Sequence, residues 1–308
     1  MATFAQGSRS RLSYAVQTNF DTAATTGFVA LPYTTSALNL SKDRVAGTDI
    51  QTDRMPRHDR HGNRQVGGDI VADLREEDFD PFLESVMLNT FATNDLTIGT
   101  SPKYFTIEDY AADIDQARLF TGCTVSSMNV SIAPNQMVTA TYNIVGKDMS
   151  ISATEQNNGG SGITASSDNS PFDAYSGVVK LDDKDASSAA TIALVTSIDF
   201  TLNNSFAPTF VVGSAAAPAL EVGRAEIEGT MTAYFEDAAL INRFINETES
   251  ELTVQVGDGT NTLDFFFPRI KINSADVSVD GPTSRVINMS FVALYNSTDT
   301  TSFKITRS

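Results

Sequence analysis

The residues best equipped for chemistry lie in one stretch, KDRVAGTDIQTDRMPRHDRHGNRQV (Lys42 to Val66), which holds both histidines, His58 and His61, beside Asp53 and Asp59. Imidazole with carboxylate is zinc chemistry. Two histidines at this spacing converge only on a helix, however, and Pro56 and Gly62 predict a loop without the fixed third and fourth ligands zinc needs. Solvated loop residues are the expectation, and no metal is assigned. GDGTNTLD (Gly257 to Asp264) echoes a calcium loop. A single copy is short of the roughly six oxygens calcium takes, and Asp-Gly between alternating strands is the ordinary hairpin signal. Cys123 is the only cysteine, which excludes an internal disulfide and a multi-cysteine zinc site. No partnered nucleophile, phosphate-cradling glycine loop or paired glycosidase carboxylates stand out, so neither an enzyme nor a cofactor is expected.

Charge is the stronger signal. Lys42, Arg44, Arg54, Arg57, Arg60 and Arg64 outnumber Asp43, Asp49, Asp53 and Asp59, a basic island of +2 in a chain of −17. The remainder therefore carries −19. Such a body cannot grip nucleic acid by neutralising phosphates, although nucleic acid can slide past it. With 308 residues, 41% of them apolar, the chain can build two ordinary cores. The N-terminus lacks the apolar stretch of a signal peptide and no run could span a membrane, so a chain made soluble in a cytoplasm is expected.

The elements that must position these residues are mostly strands. Gly122 to Gly146 alternates with period two around a turn at Ala133, Pro134 and Asn135, placing Val138, Ala140, Tyr142 and Ile144 on one face. Arg269 to Leu294 predicts a second long hairpin, turning at Asp280, Gly281 and Pro282. Helical spacing occurs twice, at about 78–89 (Phe79, Phe82, Leu83, Val86, Met87) and about 237–246 (Leu240, Ile241, Phe244, Ile245). Asp78 or Asp80, with Pro81, is expected to start the first helix and Asp237 to cap the second. Each helix follows a strand, and Gly68, Ile70 and Ala72 align with Gly229, Met231 and Ala233. Thr141 onward aligns with Met289 onward. An internal duplication follows: a first β-domain over 1–155 with a long basic loop at 42–66, a flexible Asn/Gly/Ser-rich linker over 156–177, and a second β-domain over 178–308.

RLSYAVQTNFDTA, DRMPRHDRHGNRQVGGDIVADLREEDFDPFLESVM and FTIEDYAADIDQARLFTGCTVSSMNVSIAPNQMVTATYNIVGKD resemble long-tailed phage tail tube (major tail) proteins. So do EIEGTMTAYFEDAALINRF and FPRIKINSADVSVDGP with VINMSFVALY in the second half. The resemblance implies a mainly β chain of two tandem β-sandwich or barrel-like domains, each with one short flanking helix. It implies rings whose inner strands surround a DNA channel and which stack into a tube in the virion tail, assembled in the host cytoplasm. A duplicated chain fills a six-domain ring as a trimer, and a hexamer of full chains also fits. Tape-measure, tail terminator and baseplate proteins are the implied partners, and double-stranded DNA passes without specific binding.

Within that plan, Arg44, Arg54, Arg57, Arg60 and Arg64 belong either to an arm reaching the next ring or to a merely solvated loop. The uncharged segment Thr201 to Leu220, with Phe206 and Phe210, is expected to pack on a partner subunit or ring. Asp69 and Asp73 share one strand face and Glu226 and Glu228 another, and these are candidates for an acidic lumen. A carbohydrate-binding or adhesive β-sandwich is the alternative class. It should show exposed aromatic platforms, and the chain has no Trp.

Overall fold

A computed structural model describes residues 4–156, 158–167, 169–186, 190–191, 195–279, 281–282 and 284–308. The first half comprises β1 (Ser10–Gln17), β2 (Val29–Leu31), β3 (Thr35–Ser36), β4 (Asn39–Ala46), β5 (Asp59–Asp73), α1 (Asp80–Met87), β6 (Asp95–Thr97), β7 (Tyr104–Ala111), β8 (Gln116–Ile132), β9 (Thr139–Gly146) and β10 (Asp148–Ser152). The second comprises β11 (Asp173–Asp183), β12 (Ala190–Thr191), β13 (Val195–Asn203), β14 (Ala207–Thr209), β15 (Ala219–Glu221), β16 (Glu226–Tyr234) and α2 (Ala239–Ile245). It ends with β17 (Ser250–Gly257), β18 (Thr262–Val277), β19 (Val286–Ala293) and β20 (Lys304–Arg307). The protein is mainly β, as its alternation predicts. No helix among the described residues is long and apolar enough to cross a membrane.

Strands pair in the order β1–β7–β8–β9–β5–β4, with β10 on the N-terminal part of β8. The second half pairs in the order β11–β17–β18–β19–β16–β13, with β20 on the N-terminal part of β18. The two orders match strand for strand. Even the irregularities match: β8 shifts register between Val125 and Ser127, and β18 between Ile272 and Ser274.

Gly68 and Gly229 hold corresponding places for a steric reason. A Cβ on Gly68, whose φ is +145°, would lie 2.3 Å from Ala37 O, and one on Gly229 would lie 2.4 Å from Phe291 Cζ. The later alignment needs a correction. Ile70 pairs with Tyr142 and Met231 with Met289, so Tyr142 rather than Thr141 corresponds to Met289. A slip of one residue would exchange the faces of the whole strand.

The two halves form one sheet. Ser127–Ile132 of β8 pairs with Ile198–Asn203 of β13, giving the continuous run β4–β5–β9–β8–β13–β16–β19–β18. One face of this run is core. Val138, Ala140, Tyr142 and Ile144 are buried, and Phe79 of the segment entering α1 stacks on Tyr142 at 5.6 Å. Phe82, Leu83, Val86 and Met87 bury the face of α1 that the sequence marks as apolar. In the second half Phe200, Phe265, Phe267 and Phe303 cluster edge to face and stacked.

The helix starts differ from expectation. Phe79 is the N-cap of α1 and no side chain caps it; Asp80 is already helical. At α2, Asp237 Oδ1 accepts the Ala239 N–H at 2.8 Å from one position before the N-cap Ala238. The linker is also less free than its composition suggests: Thr164 exchanges backbone hydrogen bonds with Phe28 and Ala30, and Asp78 Oδ1 accepts Ser167 N–H at 2.7 Å. Asp280 of the predicted second turn lies outside the described residues, as do parts of the segment entering the second half.

Candidate functional site

The second face of the eight-strand run is polar across both halves. It carries Asn39 and Ser41 on β4, Asp69 and Asp73 on β5, and Thr139, Thr141 and Asn143 on β9. Ser127, Asn129 and Ser131 follow on β8, then Asp199, Thr201 and Asn203 on β13. Glu226, Glu228, Thr230 and Thr232 on β16, Asn288 and Ser290 on β19, and Ser274 and Asp276 on β18 complete it. Alternation explains the set: each of these residues neighbours core residues along its own strand and so must point away from them. Cross-strand side-chain bonds tie neighbouring strands together on this surface. Asn143 Nδ2 donates to Asp69 Oδ1 at 2.7 Å, Asn129 Nδ2 to Thr201 Oγ1 at 3.0 Å, and Thr232 Oγ1 to Asn288 Oδ1 at 2.9 Å.

Every charge among these positions is a carboxylate. Asp69, Asp73, Glu226 and Glu228, read as one class from the sequence, do share this face. Asp199 and Asp276 were missed, although their places between Ile198 and Phe200 and between Ala275 and Val277 carry the same signal. Cations reach this surface at its margins: Arg224 donates to Glu226 Oε1 at 2.5 Å, Arg118 to Asn39 Oδ1 at 3.0 Å, and Lys271 stands opposite Val292. A surface made mostly of carboxylates, hydroxyls and amides, with Lys271 as a basic residue and Val71 and Val292 as apolar residues of the same parity, repels phosphate where its carboxylates gather.

The basic segment is not the loop expected. β4 and β5 continue as a two-stranded ribbon, with Lys42 opposite Arg64 and Arg44 opposite His61, so Gly62 lies in a strand and only 47–58 form the tip. Its charges are partly consumed internally. Arg44 Nε pairs with Asp59 and an Arg57 guanidinium nitrogen with Asp53, each at 2.8 Å. The Arg57 hydrogen bond, with the Met55 N–H behind it, lowers the Asp53 pKa below the usual carboxylate range. Arg64 sits at the root, 2.6 Å from Asp148 of β10. Arg54 and Arg60 make no ion pair among the described residues, and Ile50 and Met55 are exposed at the tip. His58 approaches only Asp49, at 3.8 Å, and no group of metal-ligating side chains forms among the described residues.

The corresponding uncharged segment divides in two. Phe206 is buried at 8% exposure against Leu88 and Leu220 of the same chain. Phe210, Val211 and Val212 remain exposed beyond β14. The Asp-Gly turn behaves as a hairpin, Asp258 accepting the N–H groups of Thr260 and Asn261 at 2.7 Å.

Comparison with curated proteins gives no match. A family profile described as phage tail tube protein matches residues 7–293, which takes in the polar sheet face, the basic ribbon and both helices. The chain belongs to the phage tail tube protein family.

Proposed function

We propose that this structural tail protein closes into rings whose bore is lined by the polar face of the eight-strand run, and that the stacked rings form the channel for genome ejection. The observation that carries this reading is a continuous polar face on which the carboxylates of Asp69, Asp73, Asp199, Glu226, Glu228 and Asp276 outnumber the strand cation Lys271. Two tandem related domains per chain make a ring of three chains the natural assembly. The acidic wall repels DNA phosphates, so double-stranded DNA slides without sticking. The basic ribbon reaches the next ring, with Arg54 and Arg60 free to pair carboxylates there, and Phe210 to Val212 pack on a neighbouring subunit. A tape-measure protein inside, and terminator and baseplate proteins at the ends, complete the tail in the virion. The role is mechanical, without catalysis or cofactor.

The test is charge reversal on the face. Asp199→Lys with Glu228→Lys should leave tubes assembling while DNA release from the reconstituted phage slows at least tenfold. Unchanged release from tubes of normal length would overturn the lining.

A further inference from the structure

We infer that the joint between chains repeats the joint within the chain, with β18 of one copy pairing antiparallel to β4 of the next in a defined register. The inference rests on ring assembly and adds which edges meet and how. Inside the chain, Met128 faces Leu202 and Val130 faces Phe200, core side to core side, while Ser127 faces Asn203 and Asn129 faces Thr201 on the polar face. Strand matching makes β18 the counterpart of β8, and β3 with β4 the counterpart of β13.

Those counterparts are unpaired where their equivalents are joined. Among the described residues, β18 beyond Ile270 is paired only with β19, and β4 only with β5. Transferring the internal register, through Ile70 and Met231 on one side and Tyr142 and Met289 on the other, sets Ser41 opposite Ser274 and Asn39 opposite Asp276. The core-side pairs become Leu40 with Ala275 and Leu38 with Val277. Apolar meets apolar and polar meets polar at all four places, which a one-residue slip would destroy. The irregularity before Ser274 matches that before Ser127, so both strands turn towards their edge at the same point.

A second observation points to the same partner. The C-terminal end of α1 is covered by the segment after β13, where Asn204 Nδ2 donates to Val86 O at 2.7 Å. The matching end of α2 is bare, with Phe244 and Ile245 exposed. The transferred joint brings the middle of β4, Lys42 to Arg44, to that end, where Glu247 and Glu249 lie, paired within the chain to Lys271 and Arg269. Until a copy arrives, Arg118 donates to Asn39 Oδ1 at 3.0 Å and to Leu38 O at 3.4 Å, a charged side chain guarding an open edge.

Cysteine pairs test the register. Directly opposed residues in an antiparallel pair have Cα atoms about 4.5–5.5 Å apart, within disulfide reach. The native Cys123 is buried and does not interfere. Ser41→Cys with Ser274→Cys in one chain, oxidised after assembly, should give a covalent ladder ending at the closed ring. Chains carrying one substitution each, mixed, should give covalent dimers only. The slipped pair Ser41→Cys with Ala275→Cys should lose at least tenfold in yield. Should the first pair fail to fold, Asn39→Cys with Asp276→Cys samples the same register. Tubes visible by electron microscopy without cross-linking, or with equal yield from the slipped pair, would overturn this joint and leave ring assembly standing. No rings or tubes at any concentration of the unmodified chain would overturn both.

Discussion

Val130 and Val277 stand at matching places in the two halves, and their surroundings differ. Val130 is fully buried because β13 lies beside it, whereas Val277 on the open edge of β18 is only half-buried. The helices repeat the contrast: α1 buries Phe82, Leu83, Val86 and Met87, while among the described residues α2 buries none fully. The first half is finished by the second. The second half ends in surfaces of the kind that the first half has covered, and on the proposed assembly that joint stays unmade until the chain meets a copy of itself.

The sharpest way to break this contrast is a charge at each place. Val130→Asp should destabilise the chain by more than about 3 kcal/mol, since it buries an unpaired carboxylate in the joint. Val277→Asp should change the unfolding free energy of the unassembled chain by less than about 1 kcal/mol and abolish tubes. Denaturant titration and electron microscopy read the two effects. Asn204→Ala should cost about 2 kcal/mol, because Val86 O loses its buried donor. A matching Lys42→Ala should leave the unassembled chain unchanged, again by denaturant titration.

A pH test reaches the contact between halves from another side. Burial raises the Asp80 pKa from 3.8 to about 6, with the Arg307 guanidinium of β20 opposing that shift. The protonated carboxyl is favoured in the fold. Its contribution is fully present below pH 3.8 and is lost as pH rises through about 6. Raising pH from 5 to 7 should therefore cost the native chain about 1 kcal/mol relative to Asp80→Asn, measured by thermal melts at each pH. The smallest effect belongs to the ribbon tip. Arg57→Glu should alter chain stability by less than about 0.5 kcal/mol, as exposed pairs contribute little. It should shorten tubes, as added salt should also do by screening exposed pairs over about 10 Å at 0.1 M.

How much was legible in the sequence follows from what leaves a side-chain pattern. β9 and β16 each have one wet and one dry face, so their alternation fixed Tyr142 inward and Glu228 outward. The same rule reaches Asp199 and Asp276, which were overlooked because each stands alone between apolar residues. The basic ribbon was invisible as strand because both its faces are wet, and exposed strands do not alternate. The joint of β8 with β13 is made mainly by backbone groups, which every sequence has, and the side-chain bonds of Asn129 across it carry no signal of their partner in the sequence. The one-residue offset between Thr141 and Tyr142 reflects connecting loops of unequal length in the two halves, which leave no mark of register in the sequence. Phe206 was rightly judged too apolar for solvent, but its cover comes from Leu88 across the fold, a contact that chain order hides.

On the proposed assembly, the acidic face of the continuous sheet becomes the wall of a tube. A cryo-electron microscopy map of tubes grown from the purified chain tests it directly. The predicted result is a bore lined by Asp69, Asp199, Glu228 and Asp276, with β18 of each chain hydrogen-bonded to β4 of the next. A tube with those carboxylates on its outer surface, and the helices α1 and α2 facing the channel, would contradict it.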